Sequence, residues 1–261
     1  MNLVETVERH QTELALRWAR LQGGEVHEDD QLVVTIVGLP VSFTNNVHRT
    51  RLGSDTVERR VASTVALLRN RDVPAIWWVS PLDTPEELGE TLRRNGFQHV
   101  EDMPWMAASL SDIPDVRLPE GVEAFRVDGP ERFGQFVEAM MRGFGEDPLV
   151  AQALTALHDA VGSGEEADWQ PFVAVRGGEV VGSSGLQLGG GVAGVYNVAT
   201  PPEHRGRGIG SAMTVVAMRW ARDHGYDTAI LGSSPLAVPL YERLGFRHVC
   251  RMGVYVFEAS A

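Results

Sequence analysis

A glycine-rich turn between a strand-like run and a helix-like run constrains this sequence more than any other feature. Residues 192–199 form an apolar run that predicts a strand, and from residue 209 apolar side chains recur at spacings of three and four, which predicts a helix. The turn itself reads Arg-Gly-Arg-Gly-Ile-Gly-Ser over residues 205–211. Glycine permits positive φ and close approach of a ligand, and free N–H groups at a helix start bind phosphate-type anions. Arg205 and Arg207 add positive charge there.

Two common phosphate-binding loops do not fit this turn. A P-loop carries a lysine after its last glycine, and no lysine follows Gly210 here. The dinucleotide fingerprint G-x-G-x-x-G lacks its last glycine in this turn. The turn does match R-x-x-G-x-G through Arg205, Gly208 and Gly210. With residues 198–200 before it, the pattern resembles the acyl-CoA pyrophosphate loop of the GNAT superfamily of N-acetyltransferases.

A second motif strengthens the resemblance. Residues 234–246 read Ser-Pro-Leu-Ala-Val-Pro-Leu-Tyr-Glu-Arg-Leu-Gly-Phe, which is similar to the family segment N-x-x-A-x-x-L-Y-x-x-L-G-F. The matching positions are Ala237, Leu240, Tyr241, Leu244, Gly245 and Phe246. Ser234 stands where the family often has asparagine, which leaves one side-chain contact to the cofactor open.

The resemblance implies acetyl-CoA as co-substrate and assigns residues to it. Backbone groups of residues 198–200 would pair with the pantetheine arm, and the amides of residues 205–211 would hold the pyrophosphate. Pro201 and Pro202 stop the strand from continuing, because proline donates no N–H. Tyr241 would be the general acid to the leaving thiolate, and a core aromatic is the alternative for this residue. The cofactor-binding set is Val198, Ala199, Thr200, Arg205, Gly206, Arg207, Gly208, Ile209, Gly210, Ser211 and Ser234.

The acceptor side of the site is less sharply marked. We expect Phe144, Glu146, Tyr196 and Asn197 to contact the acceptor, because they lie in a loop between two predicted helices or at the end of the strand beside the cofactor. The general base stays open among Glu146, Asp147, Tyr196 and Asn197, any of which could orient a water. The histidines show no metal-ligand spacing, and the single cysteine, Cys250, permits no C-x-x-C motif. We therefore expect no metal site.

Composition restricts the partners and the compartment. The formal net charge of −12 argues against nucleic acid as a partner, because binding phosphates requires a basic surface. Residues 203–224 are an exception, with four arginines against two acidic residues, as a polyanionic cofactor requires. No apolar run approaches the ~20 residues that span a bilayer, and the N-terminus is unlike a signal peptide. One cysteine forms no internal disulfide, so we expect a cytoplasmic protein without a membrane partner.

The chain repeats a local pattern. Residues 75–100 and 229–249 each read as a strand ending in Ser-Pro, a helix, a Gly-Phe turn and a second strand. The sequence thus predicts an α/β fold of two tandem acetyltransferase-like domains, residues 1–113 and 120–261, each a mixed central sheet flanked by helices. No R-x-x-G-x-G pattern occurs in the first half, and Leu92 occupies the place of Tyr241. The first domain is therefore predicted to be degenerate and to lack the cofactor loop.

These observations favour an acetyltransferase that moves an acetyl group from acetyl-CoA to a primary amine by direct transfer in a ternary complex. A small-molecule amine is the favoured acceptor. Two alternatives stay open, namely a protein N-terminal or lysine acetyltransferase and a non-catalytic acyl-CoA-binding sensor. The oligomeric state is open, since no sequence feature bears on it.

Overall fold

The computed structural model describes residues 2–145, 147–162 and 164–259. The helices are α1 (Leu3–Leu21), α2 (Val57–Arg71), α3 (Leu88–Arg94), α4 (Pro130–Phe144), α5 (Pro148–Val161), α6 (Ile209–Asp223) and α7 (Val238–Arg243). The strands are β1 (Glu25–Glu28), β2 (Val33–Ile36), β3 (Asn45–His48), β4 (Ala75–Val79), β5 (Gln98–Ser109), β6 (Val122–Arg126), β7 (Trp169–Arg176), β8 (Glu179–Gly189), β9 (Val192–Ala199), β10 (Thr228–Gly232) and β11 (Arg247–Phe257). In the described part of the chain, no helix combines the length and the apolar character needed to cross a membrane.

The chain forms two compact units, of which the first comprises Met1–Trp105 and Val249–Ala261. Its strand order is β1-β2-β3-β4-β11-β5, with β3 and β4 parallel and β4 and β11 antiparallel. The apolar face of α2 is buried, as the spacing of Val57, Val61 and Val65 predicts. Leu92, in the position that corresponds to Tyr241, is fully buried in the same core.

The second unit, Met106–His248, contains the glycine-rich turn. Its strand order is β5-β10-β9-β8-β7-β6, in which β9 and β10 are parallel while β6 to β9 are antiparallel neighbours. The sheet is mixed, as predicted, and the β7–β8 hairpin turns at Gly177-Gly178. Helices α4 and α6 both pack on β8 and β9. The two helices therefore hold the strand that leads into the glycine-rich turn.

The last strand, β11, pairs with a different strand from the one that the order of the motifs suggests. We expected residues 249–257 to complete the sheet of the second half, but residues 253–257 pair antiparallel with 75–79 in β4 of the first unit. A strand's partner is set by contacts between distant parts of the chain, on which periodicity carries no information. The boundaries 1–113 and 120–261 stay a prediction about the repeat, whereas packing defines the units above.

The predicted local repeat itself is present. Strand β4, helix α3 and strand β5 follow one another in the first copy, and β10, α7 and β11 do so in the second. Gly96 and Gly245 end the helices with φ of +97° and +92°. Glycine is favoured at this left-handed position because it lacks a Cβ, which accounts for the Gly-Phe pair in both copies.

Candidate functional site

Strand β9 is bulged just before it reaches the glycine-rich turn. Ser183 of β8 faces Ala199, but Gly185 faces Tyr196, so β9 contains one extra residue. Asn197 adopts φ of +56° at this point, and the Ser183 hydroxyl donates to its carbonyl at 2.9 Å. A bulge leaves the extra residue out of the hydrogen-bonded ladder and re-aims the backbone. Residues 197 and 198 are therefore turned out of the regular pairing at the place where the resemblance expects the thioester.

The turn after β9 forms an anion-binding shape from backbone groups. Gly206 and Gly208 have φ of +74° and +79°, and Gly208 is the N-cap of α6. The Ala212 amide donates to the Gly208 carbonyl at 3.0 Å. The preceding amides, those of residues 209–211, have no acceptor within the helix, because the first turn of any helix leaves its N–H groups unpaired. These groups and the helix dipole favour a bound anion.

Arg205 acts differently from the expectation that its amide holds phosphate. That amide already donates to the Pro202 carbonyl at 3.3 Å. Its guanidinium donates from Nε to the Thr200 carbonyl at 3.1 Å and from Nη2 to the Gly143 carbonyl at 2.6 Å. Arg205 therefore ties the strand end to the end of α4, and the amides left for an anion are those of residues 206–211.

The end of α4 lies directly against this strand. A Cβ added to Gly143 would lie 2.8 Å from the Ala199 Cβ and 3.1 Å from the Thr200 amide nitrogen, so only glycine fits without a shift. This contact is not predictable from the sequence, because a glycine inside a helical run gives no sign of which strand it will meet. The close approach brings the last turn of α4 to the cofactor side of the sheet.

Acidic residues and Arg142 form a charged cluster beside the turn. The Arg142 guanidinium pairs with Glu203, with Glu138 at 2.8 Å and with Glu179 at 3.7 Å, and His204 Nε2 lies 3.0 Å from Glu179. Hydrogen bonds from the backbone N–H of Glu203 and from the Arg142 guanidinium hold the pKa of the Glu203 carboxyl below its usual value. In the part of the chain that the structure describes, Glu179, Glu203 and His204 are the one group with metal-ligand geometry. Arg142 supplies the positive charge among them, which characterises an ion-pair cluster.

Tyr241 lies on α7 and is 8% exposed. Its ring packs edge-on against Phe246, with the ring centroids 5.8 Å apart. Burial raises the pKa of its phenol to about 12. The hydroxyl is therefore neutral at physiological pH and suited to donating a hydrogen bond.

Comparison with known proteins identifies the second half of the chain. Residues 138–246 match the model of the acetyltransferase (GNAT) family, a range that contains the bulged strand, the glycine turn and Tyr241. Over these residues the chain is similar to the GNAT acetyltransferases. This agrees with the resemblance inferred from the two sequence motifs.

Several curated proteins match this chain at low sequence identity. A mycothiol acetyltransferase of Acidothermus cellulolyticus is 28% identical over 222 residues, which cover 76% of this chain and 64% of that protein. One of Streptomyces coelicolor is 26% identical over 87% of this chain and 74% of its own length. The murine probable N-acetyltransferase family 8 member 5 is 34% identical over 41% of this chain and 50% of its own. The chain thus spans less than two thirds of the first of these proteins.

Solved structures support the fold. A GCN5-related N-acetyltransferase from Kribbella flavida superposes with a TM-score of 0.75 at 20% identity, over 95% of this chain and 96% of that one. A tandem GNAT protein from the clavulanic acid biosynthesis pathway has a TM-score of 0.59 at 14% identity, over 88% of this chain and 79% of that one. At these identities the similarity concerns the fold alone.

Three of the four predicted acceptor residues lie in the described part of the second unit. Tyr196 and Asn197 are half-buried beside the bulge, and Phe144, 51% exposed, follows Gly143 on the last turn of α4. Glu146 lies outside the described residues. All four stay predictions as acceptor contacts.

Two further side chains of the second unit, those of Ser234 and Trp169, lie near its sequence motifs. Ser234 is exposed in the turn between β10 and α7, and its carbonyl accepts from the Ala237 amide at 3.0 Å. Trp169 was missed as a neighbour of the bulge. Its Nε1 lies 3.4 Å from the position of a Cβ on Gly185, and Asn197 Oδ1 lies 3.7 Å from that same position.

Proposed function

We propose that this protein is an acetyl-CoA-dependent N-acetyltransferase that acts on a primary amine of a small molecule. The observation that carries the proposal is the pair of positive-φ glycines at the start of α6, directly after the bulged end of β9. Exposed amides at a helix start suit the pyrophosphate of acetyl-CoA, and a strand with disrupted pairing suits its pantetheine arm. The mycothiol acetyltransferase relatives support a small-molecule acceptor.

Different groups of the chain would bind the cofactor and stabilise the transition state. The amides of residues 206–211 and the exposed Arg207 would hold the pyrophosphate, and backbone groups of residues 198–200 would fix the pantetheine arm. The Val198 amide would face the acetyl carbonyl and stabilise the developing oxyanion. The acetyl thioester supplies the acyl group, and the neutral acceptor amine attacks its carbonyl carbon. The C–S bond breaks, the thiolate gains a proton and the new amide nitrogen loses one.

Tyr241 would donate to the leaving sulfur. A phenol with a pKa of about 12 does not readily transfer its proton to a thiolate, whose conjugate acid has a pKa of ~8.5. A hydrogen bond from the phenol that strengthens as charge develops on sulfur is therefore its main contribution. The general base stays open.

The state of Tyr241 predicts the alkaline side of the pH profile. A phenol that donates must be protonated, so its contribution is lost as pH rises through its folded pKa of about 12. We expect kcat, measured with saturating acceptor, to show no Tyr241-dependent fall between about pH 8 and 10. An alkaline limb near pH 9 in the wild type that disappears in Tyr241→Phe would contradict the assignment.

In the described part of the first unit, the parallel strands leave no equivalent opening. Strands β3 and β4 occupy the place that β9 and β10 have in the second unit, but the segments after them pair with each other: the Thr84 amide donates to Thr50 at 3.0 Å and the Leu52 amide to Thr84 at 3.1 Å. Asp83 accepts from the Thr50 and Ser80 amides, both at 2.7 Å. The chain's own groups thus fill the position of a cofactor, which supports a single cofactor site.

The stoichiometry of cofactor binding follows from this contrast. We expect calorimetric titration with acetyl-CoA to give one site per chain, because the second unit has both the glycine turn and the bulged strand, and the described residues of the first unit do not combine the two. Two equivalent sites per chain would overturn the assignment of the first unit as degenerate.

The alternatives are separated by an acceptor screen. The protein is incubated with acetyl-CoA and a panel of small amines, a lysine-bearing peptide and a peptide with a free N-terminus, and free thiol is measured against a control without acceptor. The proposal predicts release with a small amine. Release with peptides alone would indicate a protein acetyltransferase, and tight binding without release would indicate a sensor. The cytoplasmic location stays a prediction from the single cysteine.

A further inference from the structure

Two arginines connect helix α4 and the cofactor turn in opposite directions. Arg142, on the last turn of α4, reaches Glu203 in the 3₁₀ turn Pro202–His204. Arg205, in the cofactor turn, reaches back to the Gly143 carbonyl at 2.6 Å and to the Thr200 carbonyl at 3.1 Å. The contact between Gly143 and Ala199 lies between these two links. The turn is therefore attached to α4 at two points, and the end of β9 at a third.

The carboxylates around Arg142 would by themselves repel a polyanion. Glu138, Glu179 and Glu203 are all paired with this single guanidinium. Glu203 stands three residues before Gly206, which begins the set of amides available to an anion. Without Arg142, uncompensated carboxylates would face the approaching phosphates, and like charges at such distances repel.

We propose that Arg142 and Arg205 are positioning residues of the cofactor turn, and that Arg142 also neutralises the carboxylates beside it so that the pyrophosphate of acetyl-CoA can approach. The identity of the anion rests on the proposed function. Neither arginine needs to touch the reacting atoms. The expected effects are therefore on cofactor affinity and on the order of the turn.

The electrostatic part is tested with Arg142→Ala, Glu203→Gln, the double variant and the control Arg222→Ala. Arg222 pairs with its neighbour Asp223 near the far end of α6, about 20 Å from the turn, so its loss changes net charge equally. Calorimetry with acetyl-CoA at about 0.05 M salt should show affinity reduced about 5- to 20-fold in Arg142→Ala alone. The loss should shrink at about 0.5 M salt and be largely restored in the double variant. Equal affinities in Arg142→Ala and Arg222→Ala would overturn the neutralising role.

The positioning part is tested without any cofactor. Amide hydrogen exchange of peptides covering residues 200–212 should be faster in Arg142→Ala and Arg205→Ala than in the wild type, at nearly unchanged melting temperature. Arg205→Lys, which can make one of the two backbone contacts, should be intermediate. Unchanged exchange in both alanine variants would overturn the positioning role. If exchange responds as expected but the wild type binds no acetyl-CoA, the proposed function fails while the positioning role stands, and the neutralising role for this anion is refuted.

Discussion

Replacing Gly208 by valine is expected to lower acetyl-CoA affinity at least about 100-fold. Gly208 has φ of +79° at the start of α6, a conformation that costs other residues roughly 1–2 kcal/mol and suits a β-branched residue least. A valine side chain would also fill the space through which phosphate must reach the backbone amides, since among the described residues nothing beyond the two sequence neighbours lies within 4 Å of a Cβ there. Calorimetric titration measures the loss directly.

Two variants of other glycines separate strain from obstruction. Gly225→Val places the same side chain at φ of +86° at the other end of α6, also with nothing within 4 Å, so it reproduces the strain away from the turn. Its acetyl-CoA affinity should match the wild type. In Gly210→Val, the new Cβ meets Thr200 Oγ1 at an ordinary 3.6 Å, so the chain accommodates it while the ligand does not. Wild-type affinity in both Gly208→Val and Gly210→Val would exclude this turn as the cofactor site.

Replacing Tyr241 by phenylalanine is expected to lower kcat about 10- to 1000-fold while acetyl-CoA affinity changes little. The substitution keeps the packing against Phe246 and removes only the hydroxyl. An interaction that strengthens in the transition state affects kcat rather than ground-state binding. The measurement is steady-state turnover with an acceptor identified in the screen, combined with titration of the cofactor.

Tyr255→Phe serves as the matched control for this change. Tyr255 is 7% exposed, close to the 8% of Tyr241, but it packs in the core of the first unit. Loss of its hydroxyl should shift stability by about 1 kcal/mol at most and leave kcat unchanged. Wild-type turnover in Tyr241→Phe would remove the phenol from the mechanism and leave proximity and the Val198 amide as the sources of rate.

Local signals accounted for most of the elements around the site. Prolines at the first helical positions are typical of the starts of α4 and α5, and the pair Gly177-Gly178 is typical of the hairpin between β7 and β8. The apolar spacing from residue 209 predicts the helix after the glycine turn, which spans Ile209–Asp223. These features depend on neighbours in sequence, so a single sequence is sufficient to predict them.

Contacts between distant residues were not predictable in the same way. The pairing of β11 with β4 depends on residues more than a hundred positions apart, and the contact of Arg205 with the Gly143 carbonyl depends on where α4 meets β9. The motif gave Arg205 a place in the cofactor loop, but it did not distinguish binding a phosphate from holding the loop. The bulge at Asn197 was also not predictable from the sequence, because the positive φ of this asparagine follows from the pairing of β8 with β9.

The most direct test of the account follows the acetyl group itself. Acetyl-CoA labelled in its acetyl carbon is incubated with the protein and the responding small amine, and the acceptor is analysed by mass spectrometry. We predict label on the amine nitrogen in amounts equal to the thiol released, and none with Gly208→Val. Thiol release without labelled acceptor, or binding of acetyl-CoA without transfer to any amine in the panel, would contradict the proposal that this chain is an N-acetyltransferase.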